Sequence, residues 1–205
     1  MALKTFVKVS GVNNLSDARY CAGMGVDLIG FSLDKSDPNF TGVKKFKEIS
    51  DWLSGIEFVG EFRNSTLDQI VSCLSQYDLS VIEVSDHTLI RYLKGVKTIL
   101  SVDIRELHNV PHDVEMDFLL VKSSQWPSPL QIAEINKRAI GVKVLMNGIA
   151  SHQNVHKLLE QTDIHGISLT AGDEIRPGYK DYDELADVLE ADRKSTRLNS
   201  SHPSR

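Results

Sequence analysis

The sequence predicts a single (β/α)8 barrel, the α/β fold in which eight parallel strands alternate with helices. Short runs rich in Val, Ile and Leu recur along the chain, and amphipathic stretches of about ten residues separate them. Strands that are apolar throughout indicate a parallel sheet covered on both faces. An open doubly wound sheet is the rival architecture, and the lack of a GxGxxG motif after the first strand disfavours it.

The predicted strands number eight, which is the count that closes a barrel. They are Phe6–Val9, Leu28–Ser32, Glu57–Phe62, Val81–Val84, Thr98–Val102, Phe118–Lys122, Lys143–Met146 and Gly166–Thr170. In such a barrel the loops that follow the strands form one face, and the active site lies there. We therefore expect functional side chains at the carboxyl ends of these segments.

Six amphipathic segments predict the helices between the strands. They are Leu15–Met24, Val43–Leu53, Leu67–Gln76, Pro129–Ala139, Asn154–Gln161 and Tyr182–Ala191. Two further segments, Thr88–Leu93 and Arg105–Val110, are weakly helical, and Pro111 restricts the second. Phe46, Ile49 and Trp52 share one face of the second helix and are predicted to face the core. Capping residues precede three helices: Asn14 or Ser16, Ser65 or Thr66, and Ser128.

Composition limits the kind of partner that the protein can have. The net charge is −5, with 41% hydrophobic and 25% charged residues, which is typical of a globular domain. The body of the chain has no cluster of Lys and Arg, so nucleic acid is not an expected partner. No apolar run approaches the roughly 18 residues of a membrane span, and the first residues do not resemble a signal peptide. We expect a cytoplasmic protein.

The last residues differ in composition from the rest of the chain. Residues 192–205 are basic and rich in Ser, and the segment DRKSTRLNSSH resembles the translation of a common sequencing-library adapter. We therefore predict that the barrel occupies residues 1–191 and that the tail, residues 192–205, is unstructured and artefactual. Cys21 and Cys73 show no pairing signal and are expected to be thiols.

Two groups of motifs relate the sequence to a known family. Lys8-Val9-Ser10-Gly11 is similar to a KICG motif, and the segments 14–18 and 25–31 are similar to NLxDA and GADxxGF. Near the other end, Asn147-Gly148-Ile149 is similar to a GGL turn, and 167–174 with Pro177, Gly178, Lys180 and Asp181 is similar to VDVSSGVE and PGxKD. Over residues 5–190 the chain resembles phosphoribosylanthranilate isomerase, a small (β/α)8-barrel enzyme of tryptophan biosynthesis.

The resemblance implies an Amadori rearrangement of a phosphoribosyl anthranilate, which needs one base and one acid but no cofactor. Ser10 stands where the family has its cysteine base, so Ser10 is the candidate catalytic residue. Val121 falls at the family's acidic aspartate, and Asn39 replaces an arginine for the substrate carboxylate, with Asp37 opposing an anion nearby. A serine cannot be tuned to an anion near neutral pH as a cysteine can. Weak or lost activity is therefore predicted.

The resemblance also suggests which residues bind the ligand. The turns after strands seven and eight commonly direct backbone N–H groups at a phosphate, although their glycines can equally serve only to form tight turns. The glycine-rich loop after strand six is absent. A small phosphorylated metabolite is the expected partner, bound by a monomer or homodimer. The candidate ligand-binding residues are Lys8, Asn39, Asn147, Gly148, Ala171 and Gly172.

A second set of polar residues lies near strand ends: Glu61, Arg63, Glu83, Asp103, Arg105 and Lys122. These side chains either converge on a ligand or form ion pairs and solvated positions that close the barrel, and the second interpretation is favoured. No metal site is predicted, because Pro111 interrupts the spacing of His108 and His112.

Three functions remain open from the sequence. The first is an isomerase with displaced catalytic groups. The second is a non-catalytic barrel that binds a phosphorylated metabolite or a partner protein. The third is a different sugar-phosphate enzyme that uses the strand-end carboxylates.

Overall fold

The computed structural model describes residues 5–151, 153–171, 174–176, 179–180 and 186–189. Eight parallel strands pair in sequence order, and the first pairs with the last, so the sheet is a closed barrel. The strands are β1 Phe6–Ser10, β2 Leu28–Ser32, β3 Glu57–Phe62, β4 Val81–Val84, β5 Lys97–Asp103, β6 Phe118–Lys122, β7 Lys143–Asn147 and β8 Gly166–Thr170. The predicted fold class is confirmed.

Helices connect the strands on the outside of the barrel. They are α1 Leu15–Met24, α2 Val43–Ser50, α3 Leu67–Leu74, α4 His87–Ile90, a 3-10 helix Ile104–Asn109, α5 Pro129–Ala139 and α6 Val155–Gln161. The predicted last helix, Tyr182–Ala191, lies outside the described residues apart from 186–189, which are helical. The longest helix among the described residues has 11 residues, and none of them is long and apolar enough to cross a membrane.

Local signals explain where several helices begin and end. The Asn14 side chain accepts the N–H of Asp17 and caps α1, and Gly25 ends that helix with φ of 80°. Thr66 and Ser128 each form a reciprocal capping box, at α3 and α5. The helix α2 ends at Ser50, before Trp52, which is 69% exposed. The prediction that Trp52 faces the core was therefore wrong, because it lies in a turn beyond the helix.

Two short strands follow the barrel, β9 Glu174–Arg176 and β10 Tyr179–Lys180, and they pair antiparallel. The sequence patterns did not predict them. The tail, residues 192–205, lies outside the described residues, so its exclusion from the barrel remains a prediction.

Alternate residues of each strand face opposite sides of the barrel wall. Outward side chains pack under the helices in one large core, while an inner apolar layer fills the lower barrel. The inner layer consists of Leu28, Val59, Val81, Ile99, Phe118, Leu120 and Leu145, with Phe6 packed against it. Polar inward residues lie nearer the carboxyl ends of the strands. The apolar layer therefore closes the barrel from below and leaves its upper end, the mouth, for polar groups.

Candidate functional site

A polar cavity of about 190 Å³ opens at the mouth of the barrel. Its wall comes from strand ends and the loops that follow them, where barrels place their active sites. The residues that line it are Ser10, Gly11, Asn13, Ser32, Asp37, Asn39, Glu61, Arg63, Glu83, Leu120, Lys122, Asn147, Thr170 and Ala171. Most of these side chains carry a hydrogen-bonding group, so the mouth suits a polar ligand.

A buried ion triad lies beneath this cavity. Lys8 is fully buried on β1, and its Nζ lies 2.5 Å from Glu61 Oε1 and 2.8 Å from Glu83 Oε2. Burial lowers the pKa of Lys8, but the charges of Glu61 and Glu83 outweigh this and raise the pKa above its ordinary value. Lys8 is therefore an ammonium at neutral pH.

The backbone around the triad is shaped to hold it. Gly30 on β2 faces the interior, and a Cβ there would overlap Glu61 Oε1 and lie 3.2 Å from Lys8 Nζ. Gly11 follows β1 with φ of 70°, and its N–H donates to Glu61 Oε2 at 3.3 Å. A positive φ is accessible to glycine at little cost. Both glycines therefore position Glu61 on Lys8.

Ser10 points into the mouth directly above this triad. Lys8 Nζ donates to Ser10 Oγ at 2.5 Å, so the lysine contacts the candidate catalytic hydroxyl as well as both carboxylates. The candidate ligand-binding residue Lys8 does not itself line the cavity, because its Nζ lies among protein groups: it donates to Ser10 Oγ and Glu61 Oε1 and forms an ion pair with Glu83. Its contact with a ligand is not supported by this arrangement.

The loop after β2 forms one side of the mouth. Asp37 accepts the hydroxyl of Ser32 at 2.8 Å and the N–H of Asn39 at 2.8 Å. Partial burial raises the pKa of Asp37, but these two donors and the charge of Arg63 hold it below its ordinary value. Asp37 is thus a fixed negative charge beside Asn39, and Arg63 is the cation on this side.

The neighbouring loop is tied to it by one carboxylate. Asp34, which is 4% exposed, accepts the N–H groups of Arg63 and Asn64 at 2.6 and 3.1 Å, and the hydroxyl of Ser65. The backbone of Arg63 is therefore fixed while its side chain remains free to reach the cavity.

The turns after β7 and β8 are only partly available to an anion. Asn147 Nδ2 donates to the Ser168 carbonyl at 2.9 Å, and the Ala171 N–H donates to the Ser10 carbonyl at 2.9 Å. Gly148 has φ of 93°, and a Cβ there would overlap the Ser123 carbonyl. Asn147 and Ala171 line the mouth, Gly148 is not among its lining residues, and Gly172 lies outside the described residues. The glycine at 148 thus meets a steric requirement of the turn.

The end of β6 presents a different residue from the one that the motif alignment indicated. Val121 is fully buried in the outward core, whereas Lys122 lines the mouth. The alignment of Val121 with the family's acid was therefore wrong. Side chains alternate along a strand, so Val121 faces the helices and the next residue faces the mouth. Lys122 occupies the mouth at that strand end, and it is a cation.

The remaining strand-end pair stands apart from the cavity. Asp103 and Arg105 form a bidentate salt bridge, with Nε–Oδ1 and Nη2–Oδ2 distances of 2.8 and 2.9 Å. Neither residue lines the mouth. The favoured interpretation of ion pairs holds here, while Glu61, Arg63, Glu83 and Lys122 reach the cavity. Sequence reasoning missed Asn13, Ser32 and Thr170 as lining residues, although two of them end predicted strands. Within the described residues, no three His, Cys, Asp or Glu side chains gather to hold a metal.

Comparisons with known proteins agree with this architecture. No family model matches the chain. It is 26% identical over 191 residues to N-(5'-phosphoribosyl)anthranilate isomerase of Rubrobacter xylanophilus, covering 85% of this chain and 92% of that protein. It is 24% identical over 196 residues to the Aquifex aeolicus protein of the same name, covering 89% and 96%.

Solved structures give the same result for the fold. Monomers of a dimeric phosphoribosylanthranilate isomerase from Thermotoga maritima superpose with a TM-score of 0.77 at 20% identity, covering 93% of this chain and 99% of that one. The Thermus thermophilus enzyme gives a TM-score of 0.76 at 18% identity, covering 93% and 99%.

The closed sheet and the polar mouth define a (β/α)8-barrel protein with a small cavity at the carboxyl ends of its strands. The similarity to the named relatives extends over most of both chains. The chain is thus similar in sequence to N-(5'-phosphoribosyl)anthranilate isomerases over most of its length and shares the fold of their solved structures.

Proposed function

We propose that this barrel binds a small phosphorylated metabolite at its mouth and that it catalyses the family's Amadori rearrangement only weakly. The observation that carries the proposal is the contact between Lys8 and Ser10, 2.5 Å from Nζ to Oγ. That contact would activate a cysteine at position 10, but it cannot make a base of a serine.

The chemistry of position 10 follows from its neighbour. An ammonium next to a thiol stabilises the thiolate, and cysteines so placed ionise near or below neutral pH. A serine needs a base to remove its proton, as in a Ser–His pair. Lys8 stays protonated because the carboxylates of Glu61 and Glu83 raise its pKa, so it cannot play that part. Ser10 is thus a hydrogen-bonding residue rather than a base in this proposal.

The acid is altered as well. The resemblance implies an aspartate at the end of β6, and the side chain that reaches the mouth from this strand end is Lys122. An ammonium at this place attracts an anionic ligand group. Loss of one acid or one base typically costs about 10²–10⁴ in rate, so an intact fold is compatible with very slow turnover.

The charges at the rim suit a ligand with two anionic groups. Arg63, just after β3, and Lys122, at the end of β6, line the mouth, and Asn39 adds an amide to the same wall. One solved relative is a complex with reduced 1-(o-carboxyphenylamino)-1-deoxyribulose 5-phosphate, a compound with a carboxylate and a phosphate. We infer that Arg63 takes over the carboxylate contact for which the family uses an arginine at position 39.

The test measures rescue of growth in a bacterium that lacks its own isomerase and needs tryptophan. The full chain is expected to support little growth, whereas the Ser10→Cys/Lys122→Asp variant restores the base and acid and should raise the purified activity at least about 100-fold. Ser10→Cys/Val121→Asp is the matched control, because its new carboxylate faces the helices. Growth with the unaltered chain equal to that with an active relative would overturn weak catalysis.

Binding is tested separately from turnover. The reduced deoxyribulose phosphate found in the solved relative is titrated into the purified chain by calorimetry, and Arg63→Gln and Lys122→Gln should each weaken binding about tenfold or more. Absence of any binding would sink the proposed ligand class and would favour the alternative in which the barrel engages a partner protein.

A further inference from the structure

We propose that Glu83 is the group that exchanges a proton with the ligand at the mouth, in the role that Ser10 cannot fill. This inference rests on the proposed function, because it assigns the acid–base residue of the same site. It depends on a difference between the two carboxylates that share Lys8.

Glu61 is held on several sides. Its Oε1 accepts from Lys8 Nζ, its Oε2 accepts from the Gly11 N–H, and the carboxylate fills the space left by the missing side chain of Gly30. Only 6% of its side chain is exposed. A carboxylate fixed in this way keeps Lys8 paired and has little freedom to meet a ligand.

Glu83 is held on one side only. Its Oε2 lies 2.8 Å from Lys8 Nζ, which is an ion-pair distance, yet this oxygen has no hydrogen bond of good geometry with any described residue. The side chain is 12% exposed and lines the cavity. Buried polar atoms normally find a hydrogen-bond partner, so this oxygen, held by charge alone, is less firmly fixed than the oxygens of Glu61. Glu83 is thus the less firmly held of the two carboxylates, on a side chain that lines the cavity.

The charge of the triad allows Glu83 to change its protonation. One ammonium faces two carboxylates, so a proton on Glu83 removes one of two like charges and leaves Lys8 paired with Glu61. No other contact within the described residues has to break. A proton on Glu83 thus costs the triad one ion pair, the one with Lys8.

Two further hydroxyls lie unsatisfied in the same part of the barrel. Ser101 Oγ and Ser168 Oγ are buried without a hydrogen-bond partner among the described residues, and Ser168 is the strand neighbour of Lys8. Buried hydroxyls left unpaired by the protein are satisfied by ligand groups or ordered water. Neither hydroxyl lines the mouth, so ordered water inside the barrel is expected to satisfy them.

In this role Glu83 moves one proton from C2 to C1 of the opened sugar. The opened sugar is a protonated imine, and Glu83 takes the proton from C2. The electron pair of the broken C2–H bond forms a C1–C2 double bond, while the former C=N pair stays on nitrogen. Glu83, now a carboxylic acid, returns its proton to C1. The C2 hydroxyl loses its proton to solvent and becomes the ketone.

The test follows this exchange in D₂O with 1-(o-carboxyphenylamino)-1-deoxyribulose 5-phosphate as the probe. Deuterium entering at C1 is measured by NMR, since the ketone is deprotonated there in the reverse direction. Glu83→Gln should slow exchange at least about 100-fold, whereas Ser10→Ala should slow it less than about tenfold. Glu57→Gln, at the far end of β3 and paired with the exposed Lys97, is the control that leaves exchange unchanged.

A second measurement separates chemistry from folding. In Glu83→Ala, added formate should restore exchange in proportion to its concentration, which a purely structural role of Glu83 would not produce. Exchange that disappears in Ser10→Ala but persists in Glu83→Gln would overturn the inference. Binding of the probe without any exchange by the unaltered chain would also overturn it but leave the ligand class standing, and absence of binding would instead refute the proposed function.

Discussion

Gly30 on β2 and Glu61 on β3 are diagonal neighbours on adjacent strands, and the missing side chain of Gly30 makes room for the carboxylate of Glu61. A Cβ on Gly30 would overlap Glu61 Oε1 and approach Lys8 Nζ to 3.2 Å. Lys8 also contacts Glu83 and Ser10. The space at Gly30 therefore affects the positions of all the side chains that meet at Lys8.

The first prediction concerns that position. Gly30→Ala should lower the free energy of unfolding by about 1–3 kcal/mol, as expected for overpacking of a filled interior. Chemical denaturation measures it. Gly23→Ala is the matched control, since a Cβ at this helical site meets nothing within 4 Å, and it should be neutral or stabilising by up to about 1 kcal/mol. Equal effects of the two substitutions would contradict the packing described here.

A second prediction concerns Lys8. Lys8→Met leaves two buried carboxylates without their cation and should cost about 3–5 kcal/mol at pH 7, measured by urea unfolding. The pKa of Lys8 is raised on folding, so the contribution is fully present below the ordinary lysine value of 10.5 and disappears as pH rises through the folded value. Lys45→Met, on the exposed face of α2, should change stability by less than about 0.5 kcal/mol.

A third prediction concerns the effect of the Lys8 charge on position 10, measured by the alkylation rate of a cysteine placed there. Ser10→Cys should react with iodoacetamide at pH 7 at least about tenfold faster than Thr170→Cys, because the ammonium favours its thiolate. Thr170 is the strand partner of Ser10, lines the same cavity and is the more exposed of the two, so faster alkylation at position 10 would not result from better access. The native Cys73 provides a slow internal reference, since burial raises the pKa of its thiol. Equal rates at positions 10 and 170 would mean that Lys8 does not act on position 10.

The fourth prediction is a titration. Hydrogen bonds from the Arg105 side chain and backbone N–H lower the pKa of Asp103 to about 2, and Arg105→Gln should return it part of the way toward 3.8 in an NMR titration. A lowered pKa stabilises the fold above the unfolded value and loses this effect as pH falls toward 2. Lys122→Gln should shift the pKa of Asp103 far less. An unchanged Asp103 in Arg105→Gln would show that the backbone N–H alone sets it.

The strands were predictable because their signal is local. Apolar runs bounded by turns located all eight, and the widest difference is one residue at each end of β5, predicted as Thr98–Val102 and observed as Lys97–Asp103. Helix ends depended on their caps. The end of α1 was predicted correctly, and Gly25 adopts a left-handed conformation there, whereas α2 ends at Ser50 on an ordinary helical Asp51 that gives no signal.

The site was less predictable, for two physical reasons. Lys8 and Glu61 are 53 residues apart, and their contact exists only because the barrel closes. Strand β6 is apolar on both faces, so alternation could not reveal that Val121 faces the helices and Lys122 the mouth. The sequence shows which polar residues lie inside apolar strands, but it does not show which of them form ion pairs with one another.

The unequal charges of the triad also orient whatever enters the mouth. With both carboxylates ionised, the floor carries one surplus negative charge, while Arg63 and Lys122 carry the positive charges of the upper wall. A ligand with anionic ends is repelled from the floor and attracted to the rim, so it lies across the opening with its uncharged or basic middle turned downward. If the proposed ligand binds, this separation of charge would fix its orientation before any bond changes.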